Sequence, residues 1–344
     1  MNKDLDKDQS MNRKQSEIVF LYDVRLANPN GDPTNDNAPR YDEESGYVYV
    51  TDVRLKRTIR DYLMNKEGKE IFIINELNHF SQITDVSNNP KKTKADRFNK
   101  DFERDINKAI ERCIDLRLFG FTIAVGNKKD NKKKQDTVEN EDEKEKKVNI
   151  SAIGPVQFDF GLSMNTTKII NAQITSSMPN QENKSGGEFA DKYIVPYVLI
   201  SQRGVVNRRI AEIQDIPLKE EDLDLMYKAM WQGTNELDTS SKSNKSRLLL
   251  VVDYKDGYFD GTLDERIKLI PLEEGKIIYT PEQFIVEISN LISHLEKIKN
   301  YVEKIKIKED GIVKYVINGE KTTVTKEIKK LGIPVEEFVF EENK

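Results

Sequence analysis

Apolar and polar residues alternate along "EIVFLYDVRL", placing Ile18, Phe20, Tyr22, Val24 and Leu26 on one side of an extended chain. A period of two predicts a strand with one well-buried face. The period changes at residue 51. Leu55, Ile59, Tyr62 and Leu63 share a stripe at about 100° per residue, which predicts a helix from Thr51 or Asp52, either able to cap, to about Leu63. Further on, "EIFIINEL" (70–77) predicts a short strand and "NNPKKTKAD" a loop. Phe98, Phe102, Ile106, Ala109, Ile110 and Cys113 recur at helical spacing before "RLFGFTIAV", which reads as a strand.

In the second half, Leu223, Met226, Tyr227, Met230 and Trp231 predict an amphipathic helix that Gly233 can terminate. "RLLLVVDY" (247–254) has the unbroken apolar run of a central strand. Thr280-Pro281-Glu282-Gln283 combines an N-cap, proline at the first helical position and a capping-box glutamine. A long helix is expected from there to about Ile305. "GIVKYVINGEKTTVTKEI" predicts a hairpin turning at Asn318-Gly319. Two strand–helix units, near 17–75 and 193–254, fit an α+β fold with a ferredoxin-like β-α-β-β-α-β core interrupted by large insertions.

Composition adds bounds to this pattern. The 344 residues suffice for one large domain with insertions, or for two domains. Residues 127–147 hold eight Lys against seven acids, with Val138 the one aliphatic residue, so a disordered insertion is expected there. Residues 1–16 form a flexible N-terminus without the apolar stretch of a signal peptide. No run of about eighteen apolar residues is present, so the expectation is a cytoplasmic protein with no membrane contact. The net charge of −5 argues against nucleic-acid binding by bulk charge. It leaves a local basic groove open, because salt screens distant charge.

The helix at 51–63 carries the most informative chemistry. Arg54, Lys56, Arg57 and Arg60 accompany a hydroxyl at Thr51, and cations at successive turns beyond a helix start suit phosphate. The same residues would also serve as an ordinary solvated face. The preceding loop "NPNGDPTNDNAPR" (28–40) is rich in turn formers. Its Asp32, Asn35, Asp36 and Asn37 do not match a calcium loop, so neither metal nor cofactor is expected. Cys113 is the single cysteine, which excludes an internal disulfide, and His79 and His294 are the only histidines. With no phosphate loop and no nucleophile elbow, the residues point to a binding protein rather than an enzyme.

"FLYDVRLANPNGDP", "PRYDEESGYVYVTDVRLKRTIRDYL", "DLRLFG", "GPVQF" and "AMWQGTNELDTSSKSNKSRLLLVVDY" occur in collinear order. Together they resemble the CRISPR-associated Cascade backbone family, most closely the subtype I-B branch, over about residues 17–260. The resemblance implies a modified RRM palm (17–280 with its insertions), helical fingers (about 76–150) and a β-hairpin thumb (about 171–192). A C-terminal helix and hairpin (281–344) would pack on the palm. It further implies that copies stack along a guide crRNA in antiviral defence, grip its backbone without cutting, and leave its bases to pair with target DNA. Partners would be neighbouring copies, the cap, large and small Cascade subunits, and the crRNA-processing endonuclease.

Carried over by position, Thr51, Arg54, Lys56, Arg57 and Arg60 become guide-phosphate contacts. Met178 becomes a wedge near the thumb tip, and Lys242, Lys245 and Arg247 of "TSSKSNKSR" become further backbone contacts. On this view loop 28–40 is a spacer between strand and helix and a candidate contact with a neighbouring subunit. Two other functions compete: a type III-like RNA endonuclease using Asp32 or Asp36, and an RNA-independent interaction scaffold.

Overall fold

The computed structural model describes residues 14–74, 93–125, 148–175 and 189–340. Strand β1 (Gln15–Ala27) runs through the middle of the molecule and is buried on both faces. Ile18, Phe20, Tyr22 and Val24 enter one apolar cluster, while Val19 and Leu21 enter another on the opposite side. The expected single buried face is therefore corrected to two. Leu26 also departs from the alternation. Its φ of 46° turns the side chain outward, and Ala27 takes the buried place.

A two-residue pair, β2 (Gly31–Asp32) with β3 (Ala38–Pro39), folds the loop back, and β4 (Tyr49–Val50) leads into helix α1 (Asp52–Asn65). The strand expected at 70–77 does not form over residues 70–74, and residues 75–77 lie outside the described part. The reason is local: the amides of Phe72 and Ile73 donate to the Asp115 carboxylate at 2.7 and 3.1 Å, not to a sheet. The single helix expected across 98–113 is instead α2 (Lys94–Lys100) and α3 (Ile106–Arg112). Left-handed backbone at Glu103 and Arg104 separates them, and Asp105 caps the second. Then follow α4 (Ile114–Phe119) and β5 (Gly120–Val125), which pairs with β6 (Val148–Ile153). Of the charged segment 127–147, no residue is among those described.

Next come β7 (Val156–Phe158), β8 (Gly161–Ser163), β9 (Ile170–Thr175) and the long β10 (Phe189–Asn207). After α5 (Arg208–Ile213) and α6 (Glu220–Glu236), a turn at β11 (Asp238–Thr239) leads into β12 (Lys242–Tyr254). Gly233 does not end α6; the helix continues to Glu236. A Cβ at Gly233 would stand 2.9 Å from the Tyr62 Cβ, so this glycine is what lets α1 lie against α6.

The C-terminal part begins with β13 (Lys268–Pro271) and β14 (Phe284–Glu287), followed by α7 (Ser289–Ile298) and β15 (Val302–Glu309). The hairpin of β16 (Tyr315–Ile317) and β17 (Glu320–Thr322) precedes α8 (Val324–Lys330) and β18 (Val335–Glu337). The expected long helix from Thr280 is thus corrected to one 3-10 turn, a strand and a shorter helix. The capping box does form, with Gln283 accepting from the amide of Thr280 at 3.1 Å. A cap contributes about 1 kcal/mol, whereas burying Phe284 and Val286 stabilises by about 1.5–3 kcal/mol each. The strand wins. The Asn318-Gly319 hairpin turn forms as expected, with positive φ at both residues.

The main sheet runs β18–β15–β12–β1–β10–β8–β4, with only the β15–β18 pair parallel along that path. Helices α1 and α6 cover one face through Leu55, Ile59, Leu223, Met226 and Met230. Residues from the C-terminal part, including Phe284, Leu291, Leu295, Val324 and Ile328, cover the other. A third cluster around Phe72, Phe98, Phe102 and Phe121 lies in the insertion of α2–α4 and β5. Among the described residues no helix is long and apolar enough to cross a membrane.

Candidate nucleic-acid interface

Where β1 leaves the sheet, its polar loop is bound tightly to two other parts of the chain. The Asn28 amide donates to the Ser241 carbonyl at 3.0 Å, and its Nδ2 donates to the Asn37 carbonyl at 2.7 Å. Asp36 and Asn37 take left-handed conformations to complete the turn, as short polar residues can. Asn30 Oδ1 accepts from the Thr51 amide at 2.9 Å and from its hydroxyl at 3.0 Å. That hydroxyl is therefore spent on the loop and makes no cap bond to α1, although Thr51 does occupy the N-cap position. The loop is thus more than a spacer. It ties the start of α1 to the turn before β12.

Strands β9 and β10 close the opposite side as an antiparallel pair. A cleft of about 440 Å³ lies between these parts, its lining including Asn28, Arg54, Ile174, Tyr193, Ser241 and Lys242. Arg54 and Lys242 approach each other there from separate elements, and Asp36, Asp191 and Lys192 also line the cleft. Lys242 Nζ donates to the Asn28 carbonyl, and burial, followed by the nearby Arg54 charge, pushes its pKa down to about 7. Burial likewise lowers the pKa of Arg54. Among the described residues neither side chain has a carboxylate within salt-bridge distance. Arg54 Nε and Asn28 Oδ1 are buried without hydrogen-bond partners, a costly condition in a free protein.

The other expected contacts are placed differently. Lys56 pairs with Asp52 at 2.9 Å and lies over the Phe119 ring. Arg57 pairs with Asp61 at 2.7 Å. Arg60 is only 8% exposed, pairs with the fully buried Asp115 at 2.9 Å, and stacks on Phe119 with 5.1 Å to the ring centroid. Lys245 donates to the Asn235 carbonyl at 3.0 Å and approaches Asp238 at 3.5 Å. Arg247 is bound by Asp23 at 2.7 Å and by Asp310, joining the sheet to the C-terminal part. Met178 lies outside the described residues. Of the nine expected residues, the cleft gathers Arg54 and Lys242, with Thr51 behind it through Asn30.

Asp32 accepts from the Thr34 amide at 3.0 Å and hydroxyl at 2.8 Å, and these bonds hold its carboxyl below its ordinary range. This is the geometry of a turn residue. Among the described residues no three His, Cys, Asp or Glu side chains come together as metal ligands would. Sequence reading passed over Asn28, Asn30, Ile174 and Tyr193 as cleft residues. The density of Asn between a strand and a basic helix was the available signal, yet it reads equally as turn chemistry.

The family model for CRISPR-associated protein Cas7 matches residues 14–289. A CRISPR-associated protein Cas7 from Haloferax volcanii is 26% identical over 318 residues, covering 89% of this chain and 90% of that protein. A chain of a solved CRISPR RNA-guided surveillance complex is similar, with a TM-score of 0.46, 11% identity, and coverage of 92% of this chain and 98% of that one. A chain of such a complex in a pre-nicking state gives a TM-score of 0.47 at 11% identity, covering 92% of this chain and 99% of that one.

Proposed function

Matched by its model over residues 14–289, the chain belongs to the CRISPR-associated Cas7 family, and from that premise we propose that it is a backbone subunit of a type I RNA-guided surveillance complex. Copies line up along a crRNA guide and hold its sugar-phosphate chain. The guide's bases stay free to pair with target DNA, so sequence readout belongs to the RNA. The observation that carries this reading is the cleft in which Arg54 and Lys242 converge, neither of them in an ion pair with Asp36 or Asp191, the two carboxylates that also line it. A phosphodiester supplies the missing counter-charge.

The rest of the chain is consistent with that role. The strand order β12–β1–β10–β8, with α1 and α6 on one face, supports a ferredoxin-like, RRM-type palm. The insertion of α2–α4 with β5 and β6 would be the fingers, and the β9–β10 hairpin the thumb, with Met178 toward its tip. Lys56 and Arg57 lie outside the cleft lining, each on its own acid, and exchange of Asp52 or Asp61 for phosphate would let them follow the guide. The protein binds RNA without cutting it, and its further partners are the other Cascade subunits.

The test is co-expression with a CRISPR transcript and its processing partners, followed by extraction and ribonuclease probing of the bound RNA. A guide-sized RNA with periodic protection is expected. The double change Arg54→Glu and Lys242→Glu should lower RNA loading at least tenfold at 150 mM salt, about 1.4 kcal/mol or more, while circular dichroism stays unchanged. Nucleic-acid-free protein from the unaltered chain would sink the reading and favour the scaffold alternative.

A further inference from the structure

Two like charges held together in a partly dry cleft repel each other, and a folded protein can relieve the strain by releasing a proton or by taking in an anion. Which group would release the proton follows from the chemistry of the pair. A guanidinium holds its proton under all ordinary conditions, whereas an ammonium is readily neutralised when buried. Lys242 reaches into the cleft from the start of β12, and among the described residues its ammonium donates to the Asn28 carbonyl, which cannot offset a full positive charge.

Charged groups surround Lys242, but among the described residues no carboxylate, neither Asp36 nor Asp191 included, comes within salt-bridge distance of its ammonium. From α1 comes Arg54; from the turn between β2 and β3 comes Asp36; from β10 come Asp191, Lys192 and Tyr193. Asp191 is engaged by Asn171 Nδ2 at 3.1 Å, and Asp238 of β11 is turned to Lys245 at 3.5 Å. Tyr22 lies buried beside Arg54 and keeps its proton, because burial raises its pKa.

Building on the RNA-holding reading above, we infer that the Arg54–Lys242 cleft is a proton-linked seat: each subunit takes up one phosphodiester of single-stranded RNA together with one proton on Lys242. In the free protein Lys242 titrates at about 7, as burial and Arg54 dictate. A bound phosphodiester supplies the opposing charge that restores the ammonium. The phosphodiester itself stays singly charged throughout this range, so the proton goes to the protein. Arg54 stays charged in both states and secures binding at every pH. The linkage sets the sign: RNA binding weakens as pH rises through the free-state value, because the proton must then be drawn from an increasingly dilute pool.

The test measures binding of a short single-stranded RNA without terminal phosphates to the full chain, at constant ionic strength, from pH 6 to 9.5. The dissociation constant should be flat at the acid end and then rise, approaching tenfold per pH unit above about 7. Lys242→Arg, which cannot lose its charge, should give a flat profile at the tight level. Lys242→Met should also be flat, at the weak level that the unaltered protein reaches at high pH. Calorimetry at pH 8 in two buffers of different ionisation enthalpy should report uptake of about one proton per bound site. Normal RNA binding with a flat profile and no proton uptake overturns the seat and leaves the RNA-holding reading intact. Failure to bind RNA at any pH overturns both.

Discussion

Charged side chains on one short helix have quite different fates here, and burial decides which. Arg57 and Asp61 form a half-buried, solvent-reached pair one turn apart, and removing it by Arg57→Ala should change stability by no more than about 0.5 kcal/mol. Arg60 reaches the fully buried Asp115, which also accepts the amides of Phe72 and Ile73. Asp115→Ala leaves a buried guanidinium and two amides without their acceptor, so a loss of about 3–5 kcal/mol is expected in urea unfolding. A loss under about 1 kcal/mol would show that water replaces the carboxylate at little cost. Lys242 adds a pH term of its own. Its folded pKa is depressed to about 7, so its charged form costs stability below that value and the cost vanishes above the unfolded value. The RNA-free protein should therefore gain in melting temperature, relative to Lys242→Met, as pH rises from 7 to about 10.

Helices and strands show how far periodicity reaches. The stripes of α1 and α6 were legible because both helices bury one face against the sheet and expose the other. Their close approach was not, because nothing in the local pattern distinguishes a glycine that ends a helix from one that admits a neighbour. Gly233→Val should destabilise by about 1–3 kcal/mol, since its side chain would meet Tyr62 where the two helices touch. The same change at a helix end would cost far less, so the unfolding midpoint separates the two roles. At 280–287 a complete set of helix-start signals precedes a strand, because Phe284 and Val286 fill the core beneath the sheet. Cap chemistry is local and weak; apolar burial is neither.

On the scale of the whole molecule, a sheet buried on both faces requires two covering layers. The layer of α1 and α6 comes from within the strand order, and the second comes from residues beyond 260. Truncation after residue 260 would expose Val19, Leu21, Leu248, Leu250 and Val252 together. Such a patch should drive aggregation, and a soluble monomeric product in size-exclusion chromatography would contradict this account. The net charge of −5 conceals a local excess, since most cations of α1 and β12 are matched by acids while the Arg54–Lys242 pair is not.

From residue types and periods alone came the extended β1, the helices α1 and α6, the strand β12, the turn at Asn318-Gly319 and the basic character around residue 54. These depend on neighbours within one or two turns, where side-chain spacing is set by the backbone itself. Fold-level contacts decided the rest: the second buried face of β1, the division of residues 280–309, and the different fates of Arg60, Arg247, Arg54 and Lys242. The cleft combines a loop near residue 30, a helix start near 52, a hairpin near 174 and 193, and a strand start at 242. Groups so far apart in the chain share one dielectric surrounding only after folding, and a lysine's proton affinity is a property of that surrounding.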